Sequence, residues 1–137
     1  MKWSNALLVA AGLLTTTATV QAKQVMCVFD LVGKNGDVFT LMKDYQLAAK
    51  NWGADIELKV NSNEAVIAED FKAGKCDAVS ITGMRGRQFN NFTGSLDAIG
   101  AIPNLGLAIK VMQGLASPTF AKYMTSGQYE VVGVIPV

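Results

Sequence analysis

The chain has 137 residues, of which 50% are hydrophobic and 17% are charged, with a formal net charge of +1 at pH 7. This length and composition predict one folded domain and exclude a disordered chain. The near balance of charges excludes a bulk electrostatic attraction to nucleic acid or to an anionic membrane surface.

Residues 1–22 have the pattern of a secretory signal peptide that precedes the folded domain. Lys2 is followed by the apolar run ALLVAAGLL and then by TTTATVQA, which suits cleavage after Ala22. The apolar run is shorter than the roughly 20 residues that a membrane-spanning helix needs. We therefore expect an exported protein with a single domain of residues 23–137. That domain is formally neutral, because the leader removes one lysine and no acid.

Cys27 and Cys76 are the only cysteines of the sequence, which contains no histidine. Exported proteins meet oxidising conditions, so a disulfide between the two cysteines is predicted. Two unpaired buried thiols are the alternative. Two cysteines without histidine argue against a zinc site, and we expect neither a metal nor a cofactor.

The first two predicted elements of the domain are a strand and a helix. The continuous apolar run of Gln24–Val32 is typical of a strand buried on both faces. Asp37 is placed to cap the helix that follows, and Gly53 is placed to end it. The apolar positions of this helix recur at intervals of three and four residues and are expected to face the core: Val38, Leu41, Met42, Tyr45, Ala48, Ala49 and Trp52.

A second strand, a second helix and a third strand follow. Residues 54–60, ADIELKV, alternate apolar and polar side chains, as in a strand with one solvated face. Asn61 or Asn63 can cap the next helix, which Gly74 ends. Residues 76–83, CDAVSITG, contain the third apolar run. This β-α-β-α-β order predicts the α/β fold class, with a mainly parallel sheet flanked by helices and right-handed crossovers.

The remainder of the chain is predicted to add two strands and two helices. Residues 98–103 are expected to form a short strand, and residues 104–116 are expected to form a helix. A further helix is expected between Ser117 as N-cap and Gly127 as C-cap, because a proline follows the serine. Residues 129–137 are expected to form the closing strand.

Two loops are predicted to leave the carboxyl edge of the sheet, which is where ligands bind in parallel α/β sheets. Residues 33–37, GKNGD, follow the first strand, and residues 82–90, TGMRGRQFN, follow the third. A disulfide between Cys27 and Cys76 requires α-carbons roughly 4.4–6.8 Å apart, which would make those strands neighbours. The two loops would then flank one crevice.

Arg85 and Arg87, separated by one glycine, are the candidate anion-binding residues of this crevice. An arginine offers a fixed fork of donors that matches a carboxylate or a phosphate. Glycines let the backbone approach a ligand, which is the role expected of Gly83, Gly86 and Gly94. The residues expected to bind the ligand are Arg85, Arg87, Gln88, Asn90, Lys34, Asn35 and Thr82.

The alternative for the arginine pair is an ordinary surface role. In that interpretation one arginine pairs with Asp30, Asp37 or Asp97, and the other is solvated. Catalysis has less support, because the absence of histidine removes the commonest general base. Cys76 also lies beside an aspartate, whose charge disfavours a thiolate. The sequence therefore favours a binding protein over an enzyme.

Two segments carry a resemblance to a known family. Residues 27–60, CVFDLVGKNGDVFTLMKDYQLAAKNWGADIELKV, and residues 63–102, with the motifs FKAGKCD and RGRQFNNFTGS, resemble the AdeT-type periplasmic solute-binding proteins of Gram-negative bacteria. That family is related to the extracytoplasmic receptors of TRAP transporters. The resemblance extends from Lys23 to the end of the chain. It implies a periplasmic receptor lobe that holds a small solute, anionic if the arginines bind it, for a membrane transporter.

The resemblance also bears on the extent of the protein and on an alternative function. Receptors of this class are longer than the chain, so it implies an amino-terminal lobe with the start of the crossover to a second lobe, either as a truncated product or as a short paralogue. The cleft face of such a lobe would be exposed, which favours self-association. Some relatives are linked to aminoglycoside efflux in multidrug resistance, so an accessory periplasmic role in efflux is the alternative. An arginine pair should, however, repel these polycations.

Overall fold

A computed structural model describes residues 22–135 of the chain. The predicted signal peptide, apart from Ala22, lies outside the described residues. The strands are β1 (Gln24–Phe29), β2 (Ile56–Asn61), β3 (Ala78–Ser80), β4 (Thr125–Ser126) and β5 (Tyr129–Glu130). The α-helices are α1 (Asp37–Ala49), α2 (Glu64–Lys72), α3 (Gly83–Gly86), α4 (Thr93–Leu96), α5 (Leu105–Leu115) and α6 (Ala121–Met124). Within this range, no helix has both the length and the apolar character needed to cross a membrane.

β1 is the central strand of a three-stranded sheet with the order β2-β1-β3. Both neighbours run parallel to it, and Cys27 lies opposite Lys59 on β2 and opposite Val79 on β3. α1 connects β1 to β2, whereas α2 connects β2 to β3 and contacts β1 on the way. The α/β class and the parallel sheet flanked by helices are confirmed, and so is the predicted adjacency of the first and third strands.

The predicted disulfide joins Cys27 to Cys76, with 5.8 Å between the two α-carbons. Both cysteines are buried and form the centre of the core with Ile67 of α2. Val28 alternates with Cys27 along the strand and is fully buried on the opposite face. β1 is therefore covered on both faces, but it ends at Phe29, and Leu31 and Val32 of the predicted strand lie exposed in a turn. The partly buried residues around the disulfide core are Val25, Phe29, Phe71, Val79 and Ile81.

The predicted cap of α1 is wrong, because the helix begins at Asp37 and the N-cap position is Gly36, which has no side chain to accept a hydrogen bond. The buried carboxylate of Asp30 takes over this role. It accepts hydrogen bonds from the backbone amides of Phe39 (3.0 Å) and Val32 (2.9 Å). These hydrogen bonds, that of Phe39 above all, hold the pKa of Asp30 below its usual value of 3.8, although burial opposes the shift.

The apolar stripe of α1 lies only partly in the core. Met42 and Ala49 are buried, whereas Leu41, Tyr45 and Trp52 are exposed, the last to 69%. The prediction that the whole stripe faces the core is therefore wrong. In the described part of the chain, α1 packs mainly against β1 and β2, which cover one side of the apolar stripe.

The predicted helix boundaries around β2 and α2 are confirmed. Gly53, with φ of 80°, ends the short 3-10 turn that extends α1. Asn63 is the N-cap of α2 and accepts a hydrogen bond from the amide of Ala65 (3.0 Å). Gly74, with φ of 71°, follows the end of α2.

Residues 98–103 form turns rather than the predicted strand. Gly100 has φ of 78°, a conformation that residues with side chains rarely adopt. The amide of Ala101 donates to the carbonyl of Ala98 (3.0 Å), which closes a turn in the middle of the apolar run. The helix predicted next is confirmed as α5.

The last predicted helix and strand are shorter than expected. Ser117 stands at an N-cap position without a side-chain hydrogen bond, and a 3-10 turn separates it from α6. Gly127, with φ of 59°, lies in the turn of the β4–β5 hairpin and does not end the helix. β5 pairs with β4 and does not join the main sheet, and residues 131–135 are not in a strand. The prediction of a long closing strand is therefore wrong, because the chain after Glu130 finds no strand partner within the described residues.

Candidate functional site

An open cleft of about 580 Å³ lies between the start of α2 and the segment that follows β3. It stands beyond the carboxyl end of β3, where ligands collect in parallel sheets. Most of its surface is polar. The residues that line it are Glu64, Thr82, Met84, Arg85, Arg87, Gln88 and Asn91.

The turn from β3 into α3 carries the cleft arginines. Thr82 is the N-cap of α3, and its hydroxyl oxygen accepts a hydrogen bond from the amide of Arg85 (3.2 Å). The Gln88 side chain donates back to the carbonyl of Arg85 (3.0 Å). The chain therefore turns sharply at Thr82. Arg85 and Arg87, which are two positions apart, both line the cleft.

The glycines of this segment pack against α4 and do not open the backbone to a ligand. A Cβ atom at Gly83 would lie 2.6 Å from the carbonyl oxygen of Thr93, and one at Gly86 would lie 2.8 Å from the Thr93 hydroxyl. The Thr93 hydroxyl also donates to the Gly83 carbonyl (2.9 Å). The prediction that Gly83 and Gly86 let a ligand approach the backbone is therefore wrong, because Thr93 of α4 occupies the space beside both glycines.

A cluster of aromatic side chains supports the same segment from behind. Phe89 is buried, and its ring contacts Phe71 of α2 and Tyr129 of β5 at centroid distances of 5.1 and 4.9 Å. Asn90 is also buried, and its amide donates to the carbonyl of Tyr123 (2.8 Å) while its oxygen accepts from the amide of Phe92 (2.9 Å). The C-terminal hairpin thus helps to fix the segment that carries the arginines.

Glu64, the first residue of α2, places a carboxylate in the cleft. One oxygen accepts a hydrogen bond from the backbone amide of Thr82 (2.6 Å). The other lies 3.5 Å from Nε of Arg85. Arg85 is therefore paired, but with Glu64 and with none of the three aspartates considered from the sequence. Glu64 was not among the site residues predicted from the sequence, although the loop before α2 also leaves the carboxyl edge of the sheet.

Arg87 differs from Arg85 in its surroundings. Within residues 22–135, no carboxylate oxygen lies within 4.0 Å of its guanidinium group. Its aliphatic stem lies directly over Gly94, where a Cβ atom would overlap it. Its Nη1 atom lies 3.5 Å from the sulfur of Met84. Arg87 therefore brings an uncompensated positive charge to the cleft.

The predicted ligand-binding residues divide into two groups. Thr82, Arg85, Arg87 and Gln88 are brought together in the cleft. Asn90 lies beneath it, with its polar atoms engaged in internal hydrogen bonds, and Asn91 lines the cleft in its place. Lys34 and Asn35 belong to the 3-10 turn Gly33–Asn35 after β1 and are not among the lining residues.

The charges of the lining residues determine what the cleft can bind. At neutral pH, two guanidinium groups and one carboxylate give the lining a net charge of +1. Amide groups of Gln88 and Asn91 add neutral donors and acceptors. Within the described part of the chain, no three potential metal ligands lie close enough to hold an ion. The arrangement suits a small polar anion.

The chain belongs to the AdeT family of solute-binding proteins, because the family model described as "Solute-binding protein AdeT 1/2" matches residues 46–137. The matched range includes every residue that lines the cleft. A curated relative from Acinetobacter baumannii, named "Probable solute-binding protein AdeT1", is 57% identical over 106 residues. The alignment covers 77% of this chain and 35% of that relative, so the chain spans about a third of the relative's length. No solved structure matches the chain significantly.

Proposed function

We propose that this chain is an exported solute-binding lobe that captures a small carboxylate-bearing anion in the cleft beyond β3. The observation that carries the proposal is the guanidinium of Arg87, which has no carboxylate partner within residues 22–135 and lines a polar cleft of net positive charge. An anion would neutralise it through charge-assisted hydrogen bonds, which are roughly twice as strong as neutral ones. Family membership supports the same assignment.

The lining residues have separate roles in this proposal. Arg87 binds the ligand carboxylate. Arg85, held by Glu64, contributes a second positive charge at the side of the cleft. Gln88 and Asn91 form hydrogen bonds with the polar groups of the ligand that neighbour the carboxylate. The lobe acts without catalysis, in the periplasm, and passes its solute to a membrane transporter.

An accessory role in drug efflux is the second function that the family suggests. In that role the lobe would contact a membrane efflux protein instead of capturing the drug. A polycationic aminoglycoside gains nothing from a cleft with a net charge of +1. The exposed arginine therefore favours anion capture over aminoglycoside binding.

Replacement of Arg87 tests the capture of an anion. Arg87→Ala is expected to lower the affinity for a bound carboxylate by about tenfold or more, because a hydrogen bond to a charged group contributes about 1.5–3 kcal/mol. Titration of the ¹⁵N-labelled protein with butyrate, lactate, succinate and malate, followed by NMR, measures weak affinities and identifies the amides that move. Lys59→Ala removes the same charge from β2, outside the cleft, and is the control.

A second variant tests whether binding depends on where the Arg87 side chain lies, with the arginine itself retained. Gly94→Ala places a methyl group where the Arg87 stem lies and should move the guanidinium out of the cleft. Carboxylate affinity should fall as it does in Arg87→Ala, while the melting temperature is kept, because alanine is favoured over glycine in a helix. Gly114→Ala, where a Cβ atom meets nothing within 4 Å, is the matched control. Carboxylate affinities that are equal in the wild type and in Arg87→Ala would refute the proposal.

Exposed apolar side chains at the carboxyl edge of the sheet favour self-association of the lobe. Leu31 and Val32 follow β1 at the same edge of the sheet and are strongly exposed, and Met84 of the cleft is also exposed. Contiguous exposed apolar surface commonly marks an interaction site. We expect light scattering to show a concentration-dependent increase in mass that Leu31→Ser combined with Val32→Ser reduces. A monomer at every concentration would contradict this expectation.

A further inference from the structure

We propose that Glu64 restricts the cleft to ligands that carry a single negative charge. This inference rests on the proposed function, because it concerns the selectivity of the same cleft. Among the cleft residues, Glu64 is the carboxylate, and its side chain is only 15% exposed. The two arginines would otherwise suit a ligand with two carboxylates.

The geometry keeps Glu64 in place when a ligand arrives. Its carboxylate is held at two points, by the amide of Thr82 at 2.6 Å and by Nε of Arg85 at 3.5 Å. The amide belongs to the N-cap residue of α3, whose position is set by the backbone. A carboxylate anchored in this way cannot swing out as a solvated side chain would.

The anchored carboxylate changes what Arg85 can offer. Arg85 already has a compensating charge, so a ligand carboxylate that approaches it also approaches Glu64 and is repelled. Arg87 carries no such compensation among the described residues. Arg87 can therefore bind one ligand carboxylate. A second carboxylate would meet Arg85, which is already paired, and would be repelled by the charge of Glu64.

The test uses Glu64→Gln, which keeps an oxygen to accept the Thr82 hydrogen bond and removes the negative charge. The probes are two pairs of a monoanion with a dianion: butyrate with succinate, which have carbon chains of equal length, and lactate with malate, which share the 2-hydroxy acid group. We expect the wild type to prefer the monoanion of each pair. Affinity for succinate and malate should rise about tenfold in Glu64→Gln, more than affinity for butyrate and lactate does. Glu69→Gln makes the same charge change on α2 outside the cleft and should not alter this preference.

A charge-compensation series gives a second test of the negative charge on Glu64. Arg85→Ala leaves the lining with a net charge of zero, so the affinity for butyrate should fall about tenfold. Adding Glu64→Gln to Arg85→Ala returns the net charge to +1 and should restore butyrate binding through Arg87. A purely structural role of Glu64 predicts no such rescue.

The outcomes separate this inference from the proposed function. If the wild type binds succinate as well as butyrate and the Glu64→Gln profile is unchanged, the inference is wrong and anion capture stands. If neither the wild type nor Glu64→Gln binds any of the four probes, capture of a small carboxylate is itself refuted. A gain of dianion binding in Glu64→Gln together with the double-variant rescue supports both.

Discussion

Reduction of the Cys27–Cys76 disulfide is expected to lower the free energy of unfolding by about 4 kcal/mol. The bond joins residues separated by 49 positions, and cutting it returns the conformational entropy of that loop to the unfolded chain. The bond also lies in the centre of the core, where it packs with Ile67. A loss of this size is comparable to the whole stability of many small domains.

Urea unfolding of the oxidised and reduced protein, followed by circular dichroism, measures this difference with identical side chains in both samples. The reduced thiols are alkylated only after unfolding, so that mass spectrometry confirms complete reduction without disturbing the fold. The Cys27→Ala and Cys76→Ala double variant is the control, since reductant should leave its urea midpoint unchanged. Equal midpoints of the oxidised and fully reduced wild type would show that the cross-link does not stabilise the fold.

The first half of the fold was predictable because its signals are local. Strands β1 to β3 are short apolar or alternating runs, and Asn63 and Gly74 mark the ends of α2 within the helix's own sequence. The disulfide then added one long-range constraint, which placed β1 beside β3. Local periodicity and a single cross-link were enough to derive the strand adjacency.

The second half was less predictable because its elements depend on distant partners. The apolar run of residues 98–103 is typical of a strand, but Gly100 closes it into turns. Residues 129–135 are also mostly apolar, yet a strand forms only where β4 supplies a partner. Neither outcome is encoded in the periodicity of the run itself, because a strand requires a neighbour for its backbone hydrogen bonds.

The candidate site shows the same division between local and distant information. The arginines were predictable from residue type, since a guanidinium fork after a strand is a common anion-binding device. The partner of Arg85 was not predictable, because Glu64 lies 21 positions earlier and meets it only through the packing of α2 beside β3. Asn90 was assigned to the ligand from its polarity, whereas its hydrogen bond to Tyr123 depends on the C-terminal segment.

Asp30→Asn is expected to destabilise the protein at neutral pH more than any surface substitution. The two oxygens of Asp30 accept hydrogen bonds from separate backbone amides, those of Val32 and Phe39. Asparagine offers one acceptor oxygen, so one amide loses its partner and faces the donor NH₂ group. A Cβ atom at Gly36 would overlap the Asp30 carboxylate, so residue 36 cannot carry a side chain that replaces it as the acceptor.

The effect of Asp30→Asn should also depend on pH in a defined direction. The folded-state pKa of Asp30 lies below its usual value of 3.8, chiefly because of the Phe39 amide. The stabilisation is therefore complete above the unfolded-state pKa and is lost as pH falls through the folded-state pKa. Melting temperatures of wild type and Asp30→Asn between pH 7 and about pH 2 should converge in acid. Asp44→Asn, on the exposed side of α1, is the control, and a gap between Asp30→Asn and wild type that stays constant into acid would contradict the assignment of Asp30 as an ionised cap.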